Sequence, residues 1–233
     1  FSSRRRHTRF RNVTGVQTCA LPILAQHPQA KLSSSIAADH PLSQLREVQP
    51  CRSGQRWTWD AVEFEVLHPD ASQPSQERGA NAYSCVLRIR AGSGRSALLT
   101  GDIERAQEER LLAQGLQGPV DWLLVPHHGS KTSSAESFLD AVKPALAVVQ
   151  AGHANRFGHP VPTVTERYRA RAIPVVNTAQ CGALHWASDR PRDWTCERAR
   201  APRYWHHRVA IPLAQDTAGC SVRPGAAAGS ESC

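Results

Sequence analysis

Two short apolar runs end abruptly in polar chemistry, and this constrains the chain more than any other feature. Ala97-Leu98-Leu99-Thr100 runs into Gly101-Asp102, and Val120 to Val125 runs into Pro126-His127-His128-Gly129-Ser130-Lys131-Thr132. Runs of this length, bounded by Gly and Pro, read as buried strands. A carboxylate closing one strand and two imidazoles closing another are donor types that a divalent metal takes.

The pattern on either side supplies the layers. Val62 to Leu67 alternates apolar and polar, a half-buried strand. Tyr83 to Ile89 and Ser96 to Thr100 read as strands joined across Ala91-Gly92-Ser93-Gly94-Arg95, a hairpin signal. Glu104 to Gln114 reads as an amphipathic helix with Gly115 as its stop. After the histidine loop, Ser133 or Ser134 is placed to cap a helix carrying Phe138, Leu139 and Val142. Strands follow at Ala145 to Val149, Ile173 to Val176 and Gly182 to Trp186, with a helix over Val164 to Ala172. Residues 24–50 and 69–79 are rich in breakers and read as linker and loop. A hairpin-rich first half and a second half alternating strand and helix predict an α+β fold, sheets inside and helices outside.

Composition bounds the function. The net charge is +8, but residues 1–23 hold five arginines and no acid, and residues 190–208 hold six arginines. The charges between them nearly balance, so a nucleic-acid role cannot be argued from overall basicity. No apolar run reaches the roughly 18 residues that a membrane helix requires. None of the seven cysteines forms a Cys-x-x-Cys pair, which argues against a zinc knuckle. An odd count in a chain this long does not suggest a disulfide framework. Methionine is absent, and residues 1–23 resemble translated sequencing-adapter sequence; a transit peptide or a basic arm are the competing readings. That segment is expected to be non-native and disordered, and residues 209–233, rich in Gly, Ala and Ser, a disordered tail.

Each candidate residue has an ordinary alternative. Asp102 is placed to cap the following helix. On a continuing strand His127 and His128 face opposite ways, so one would point at any given centre. His159, in Asn155-Arg156-Phe157-Gly158-His159-Pro160, is either a solvated loop residue or part of a base- or anion-contacting loop. Ser130, Lys131 and Thr132 suit phosphate contact or a polar turn. Arg203, His206 and Arg208, interleaved with Tyr204 and Trp205, suit stacking and phosphate contact on single strands or a solvated edge.

Four segments taken in order carry a family resemblance. Asn81-Ala82-Tyr83-Ser84-Cys85-Val86-Leu87-Arg88-Ile89, Leu98-Leu99-Thr100-Gly101-Asp102, Val125-Pro126-His127-His128-Gly129-Ser130-Lys131-Thr132 and Phe157-Gly158-His159-Pro160 resemble the C-terminal metallo-β-lactamase-fold domain of the ComEC DNA-uptake channel family. The resemblance covers about residues 33–208 of a partial domain placed at 24–208. It implies an αββα sandwich with a metal site at one edge. Asp102 would be the bridging carboxylate and His127 or His128 the late histidine ligand, with Asp102 and His128 as the catalytic pair. Ser130, Lys131, Thr132, His159, Arg203, His206 and Arg208 would face the nucleic acid.

The implied chemistry is phosphodiester hydrolysis by two divalent ions (Mn, Zn or Fe) acting on the DNA strand that is not imported. The implied partners are single-stranded DNA and the membrane channel of the same parent protein. That parent would sit in the bacterial inner membrane, with this domain on its extracytoplasmic side.

One departure is decisive. The fold's first metal motif, His-x-His-x-Asp-His, is missing. Asp39-His40 is the one Asp-His pair, and Ser35 and Ala37 stand where histidines are needed. The chain therefore reads as the second half of the domain, an incomplete sandwich with an uncovered sheet face and weak metal binding on its own. Two rival functions remain: a non-catalytic module guiding single-stranded DNA, and a stand-alone metallo-hydrolase of a small molecule.

Overall fold

The computed structural model describes residues 32–35, 43, 47–70 and 79–202. The expectations for residues 1–23 and 209–233, for Asp39 and His40, and for Arg203, His206 and Arg208 lie outside the described residues.

The linker expected before residue 50 contains a parallel strand pair, β1 (Leu32–Ser34) and β2 (Val48–Pro50). A strand that the sequence reading missed follows, β3 (Arg56–Trp59), paired antiparallel with β4 (Val62–His68). The hairpin across residues 91–95 forms as expected between β5 (Val86–Ala91) and β6 (Ser96–Leu99). Tyr83 belongs to a 3-10 turn (Ala80–Tyr83) rather than to the strand.

From β6 onward the chain crosses over and the pairing turns parallel. Helix α1 (Arg105–Ala113) leads to β7 (Trp122–Leu124), and α2 (Glu136–Val142) leads to β8 (Leu146–Val149). Helix α3 (Pro162–Arg169) leads to β9 (Val175–Asn177). The result is a seven-stranded mixed sheet in the order β3-β4-β5-β6-β7-β8-β9. The short helices α4 (Thr178–Cys181) and α5 (Glu197–Arg200) flank a separate antiparallel pair, β10 (Leu184–Trp186) and β11 (Trp194–Cys196).

The two sheet faces are treated differently. On one, Val86, Leu98, Leu123, Ala147 and Val149 are buried under Leu111, Phe138, Leu139, Val142, Val164 and Tyr168 of the three long helices. On the other, Leu146, Val148 and Val176 are covered by Cys181, Cys196, Leu184, Trp186 and Trp194. That cover stops short of the antiparallel end. There the register aligns Trp57 with Phe64, Phe64 with Ile89, and Leu87 with Leu99 on one face. Trp57 stacks on Phe64, and Trp59 is 74% exposed.

Two sequence expectations are corrected here. Disulfides join Cys51 to Cys85 and Cys181 to Cys196. Neither pair has a spacing motif; the fold brings its members together across 34 and 15 residues of chain. Nor does Ser133 or Ser134 cap α2 with its side chain. The N-cap is Ala135, and the buried Glu108 carboxylate of α1 takes the amides of Ser134 and Ala135, at 2.6 and 2.8 Å. Burial raises the Glu108 pKa, against those two amides, which favour its charge.

Candidate functional site

The site lies where β6 and β7 end side by side. The strands are paired in parallel, so their C-terminal ends deliver Gly101-Asp102 and Pro126-His127-His128-Gly129 to the same edge. The two turns are laced together. The His127 amide donates to the Gly101 carbonyl at 3.0 Å, and Thr100 Oγ1 donates to the Leu124 carbonyl at 2.7 Å.

Asp102 does not cap α1. Glu104 holds that position, and its amide donates to the Gln107 side chain at 3.1 Å. The Asp102 carboxylate instead sits 3.2 Å from His128 Nε2, and its amide donates to Ser84 Oγ at 3.2 Å. Of the two imidazoles expected to meet the aspartate, His128 is the one in contact with it.

The two histidines do not alternate as they would on a strand. The chain leaves β7 in a 3-10 turn, and both residues adopt left-handed backbone, with φ of 48° and 56°. His128 Nδ1 donates to the Gln150 carbonyl at 2.7 Å, which leaves Nε2 facing Asp102. His127 turns toward Glu104, whose Oε1 lies 3.3 Å from Nδ1, and toward Asn81, whose Nδ2 lies 3.4 Å from Nε2. The two rings are 6.4 Å apart.

His159 joins the group from the next loop, its ring 6.0 Å from that of His127. A pair of bonds with Asn155 fixes its backbone: the His159 amide donates to Oδ1 at 2.9 Å, and Nδ2 donates to the His159 carbonyl at 2.7 Å. Phe157 stacks on the His159 ring. Gly129 explains how the loops fit. A Cβ there would sit 2.6 Å from Pro160 Cβ, and the residue has a φ of +83°. Burial, then the neighbouring His127 and His128, lower the His159 pKa. The Nδ1 atoms of His127 and His159 are buried and have no hydrogen-bond partner among the described residues.

The fit to a metal is therefore partial. Carboxylate and imidazole donors of the right kind are present, and His159 Nδ1 is buried without a hydrogen bond. Yet among the described residues no three His, Cys, Asp or Glu side chains converge on one point. The described donors that converge are fewer than the roughly three or four protein ligands that such a metal site uses.

A cleft of about 910 Å³ adjoins the corner, lined by Asn81, Glu104, Arg105, Gln107, Lys131 and Thr132 among others. Of the three loop residues expected to meet phosphate, Lys131 and Thr132 are exposed on this cleft. Ser130 is buried, with its hydroxyl 3.2 Å from that of Thr132. The sequence reading missed Asn81, Glu104 and Arg105 as site neighbours. From sequence alone Asn81 also fits simple turn chemistry, and nothing in the spacing points to the other two.

Comparison with known proteins places these motifs in a context. No family model matches the chain. It is 42% identical over 139 residues to Competence protein ComA of Neisseria gonorrhoeae, covering 58% of this chain and 19% of that one. It is 35% identical over 125 residues to ComE operon protein 3 of Bacillus subtilis, covering 54% of this chain and 16% of that one. The chain thus matches less than a fifth of the length of either relative. Among solved structures, a mutant of the CmlA beta-hydroxylase aligns at 13% identity over 66% of this chain and 39% of its own, with a TM-score of 0.41. A likeness that loose carries no argument. Among the described residues, no helix is long and apolar enough to cross a membrane.

Proposed function

We propose that this chain is part of the C-terminal, ComEC-type hydrolase-fold domain of a competence protein, and that the Asp102–His127–His128 corner is its share of a metal site handling single-stranded DNA. One observation carries the reading. Two loops from neighbouring parallel strands are bonded to each other, and they set a carboxylate 3.2 Å from one imidazole with a second beside it. Similarity to competence proteins over more than half the chain supports the biological setting.

Three further features fit. Arg105 and Lys131 offer positive charge on the adjoining cleft, and Thr132 and Asn81 offer hydrogen bonds, a lining suited to a phosphodiester backbone. The donor set is short, as expected if the remaining ligands come from elsewhere in a longer polypeptide. The apolar face of β3–β6, whose outer part the described residues leave open, suits a second sheet packed against this one, which would make the αββα sandwich. In that reading the complete domain cleaves the strand that is not imported, outside the cytoplasmic membrane, using two divalent ions of the Mn, Zn or Fe type. His159 lies at the edge of the same site. Arg203, His206 and Arg208 would guide the strand.

The absence of a three-donor cluster among the described residues favours a second reading, a module that guides DNA without cutting it. Asp102→Ala in the full-length protein separates the two. Cleavage of a labelled single strand should fall by two orders of magnitude or more while DNA binding is retained. Full-length protein that binds DNA but never cleaves it supports the guiding module. For the chain as given, tight binding of two ions with robust turnover would overturn the incomplete-site reading.

A further inference from the structure

One covalent bond anchors the segment that connects the antiparallel strands to the candidate site. Cys51 follows β2, and its amide donates to the Ser34 carbonyl at 3.0 Å. Its sulfur is bonded to Cys85, the residue before β5. Two of the four residues before Cys85, Asn81 and Ser84, make contacts that reach the site. Ser84 Oγ accepts the Asp102 amide at 3.2 Å, and the Ser84 carbonyl accepts His68 Nδ1 at 2.9 Å. Asn81 reaches His127 at 3.4 Å. Gly101 packs on the same segment: a Cβ there would lie 3.1 Å from Ser84 Cβ and 3.4 Å from the Cys85 carbonyl oxygen. Ser84 and Cys85 belong to no helix or strand, so no ladder of backbone bonds fixes them.

We infer that the Cys51–Cys85 disulfide is the clamp that sets the Asn81–Ser84 turn against the Asp102 and His127 loops, so that this turn is held on the corner only under oxidising conditions. In forming the bond, the two thiols give up two protons and two electrons. A disulfide-bearing oxidant takes the electrons and leaves as two thiols. Such bonds persist in oxidising compartments and are rare in reducing ones, so the clamp suits a domain working outside the cytoplasm. The second disulfide supplies a built-in control. Cys181 and Cys196 pack with Leu146, Val148 and Val176 in the cluster under α4 and β10–β11. For its functional consequence the inference rests on the reading of Asp102 and His127 given above; its geometric content does not.

Amide hydrogen exchange on the full chain tests the clamp. Three proteins are compared: the oxidised parent, Cys51→Ala/Cys85→Ala and Cys181→Ala/Cys196→Ala. An unreduced digest of the parent should contain a linked peptide bearing Cys51 and Cys85. In the first variant the amides of Ser84, Asp102 and His127 should exchange at least tenfold faster, with Leu123 and Val148 unchanged. The second variant should leave the corner as in the parent. The inference is overturned if the linked peptide is missing, if the corner exchanges alike in parent and first variant, or if both double variants loosen it equally. Should the first variant not fold, dithiothreitol is titrated into the parent, reducing the bridge as it closes to its own cyclic disulfide. The corner should then open before the core, and opening only together with global unfolding counts against the clamp. None of these readouts uses metal or nuclease activity, so an inactive protein with an intact clamp sinks the functional reading alone.

Discussion

The two ends of the seven-stranded sheet solve the burial problem in opposite ways. At the parallel end every residue of β8 (Leu146, Ala147, Val148 and Val149) is buried, because helices cover one face and the β10–β11 unit the other. At the antiparallel end β3, β4 and β5 alternate. Arg56, Glu65 and Arg88 share one face, and the Glu65 carboxylate sits between the two guanidiniums. Burial raises its pKa, but Arg88 and Arg56 outweigh that and hold the carboxyl below its ordinary range. The opposite face carries Trp57, Phe64, Leu87, Ile89, Ala97 and Leu99, with no charged residue among these register partners. Binary pattern thus marks this face as interior although none of the described residues covers its outer part. The comparison teaches that the described residues cover the parallel end on both faces, whereas at the antiparallel end they leave the outer part of an apolar face open.

The largest expected effect separates the two ends directly. Phe138 is fully buried at the parallel end, so Phe138→Ala should cost about 3–5 kcal/mol in chemical denaturation. Phe64 is half-buried, and Phe64→Ala should cost on the order of 1 kcal/mol. Equal losses would erase the distinction between a covered and an open end.

A smaller effect concerns His68, the one fully buried histidine among the described residues, at the bulged end of β4. Burial lowers its pKa from 6.5 and Arg110 adds to this, while the Ser84 carbonyl and Asp70 oppose it. A histidine whose folded pKa is depressed contributes stability that is present above its unfolded value and lost as pH falls. Stability should therefore decline as pH is lowered through about 6.5, the unfolded histidine value. His68→Gln keeps a donor for the Ser84 carbonyl and should flatten that decline. An unchanged pH profile in the variant would show that the charge is accommodated after all.

The smallest effect on stability is also the sharpest test of the uncovered face. Trp59→Ser should change the unfolding free energy by no more than about 0.5 kcal/mol. It should nevertheless lower self-association, measured by light scattering, if the face seeks apolar cover. A costly substitution with no change in association would mean that Trp59 is structural.

Much of this was legible from sequence, for local reasons. The alternation of Val62 to Leu67 and the Gly-rich turn at residues 91–95 announced the β4–β5–β6 meander, and Gly115 announced the end of α1. The Gly-Asp and His-His motifs marked the strand ends that form the corner, because polar clusters bounded by Gly and Pro stop an apolar run. What stayed hidden depends on distant chain. Arg56-Trp57-Thr58-Trp59 shows its strand character only beside β4. Glu108 reads as a helix-surface acid until its carboxylate is seen on the amides at the start of α2. The left-handed backbone at His127 and His128, residues for which β or helical geometry is the default, has no signature in a single sequence.

By itself the sequence determined which segments alternate, where the strands stop and which donors stand at their ends, since these follow from side-chain period and turn chemistry between near neighbours. Only the tertiary structure decided that the β6 and β7 turns interlock, that both histidines turn into one corner, and that cysteines far apart in the chain are joined. Those outcomes depend on parallel register and on close contacts such as Gly129 against Pro160, which exist only once strands remote in sequence lie side by side.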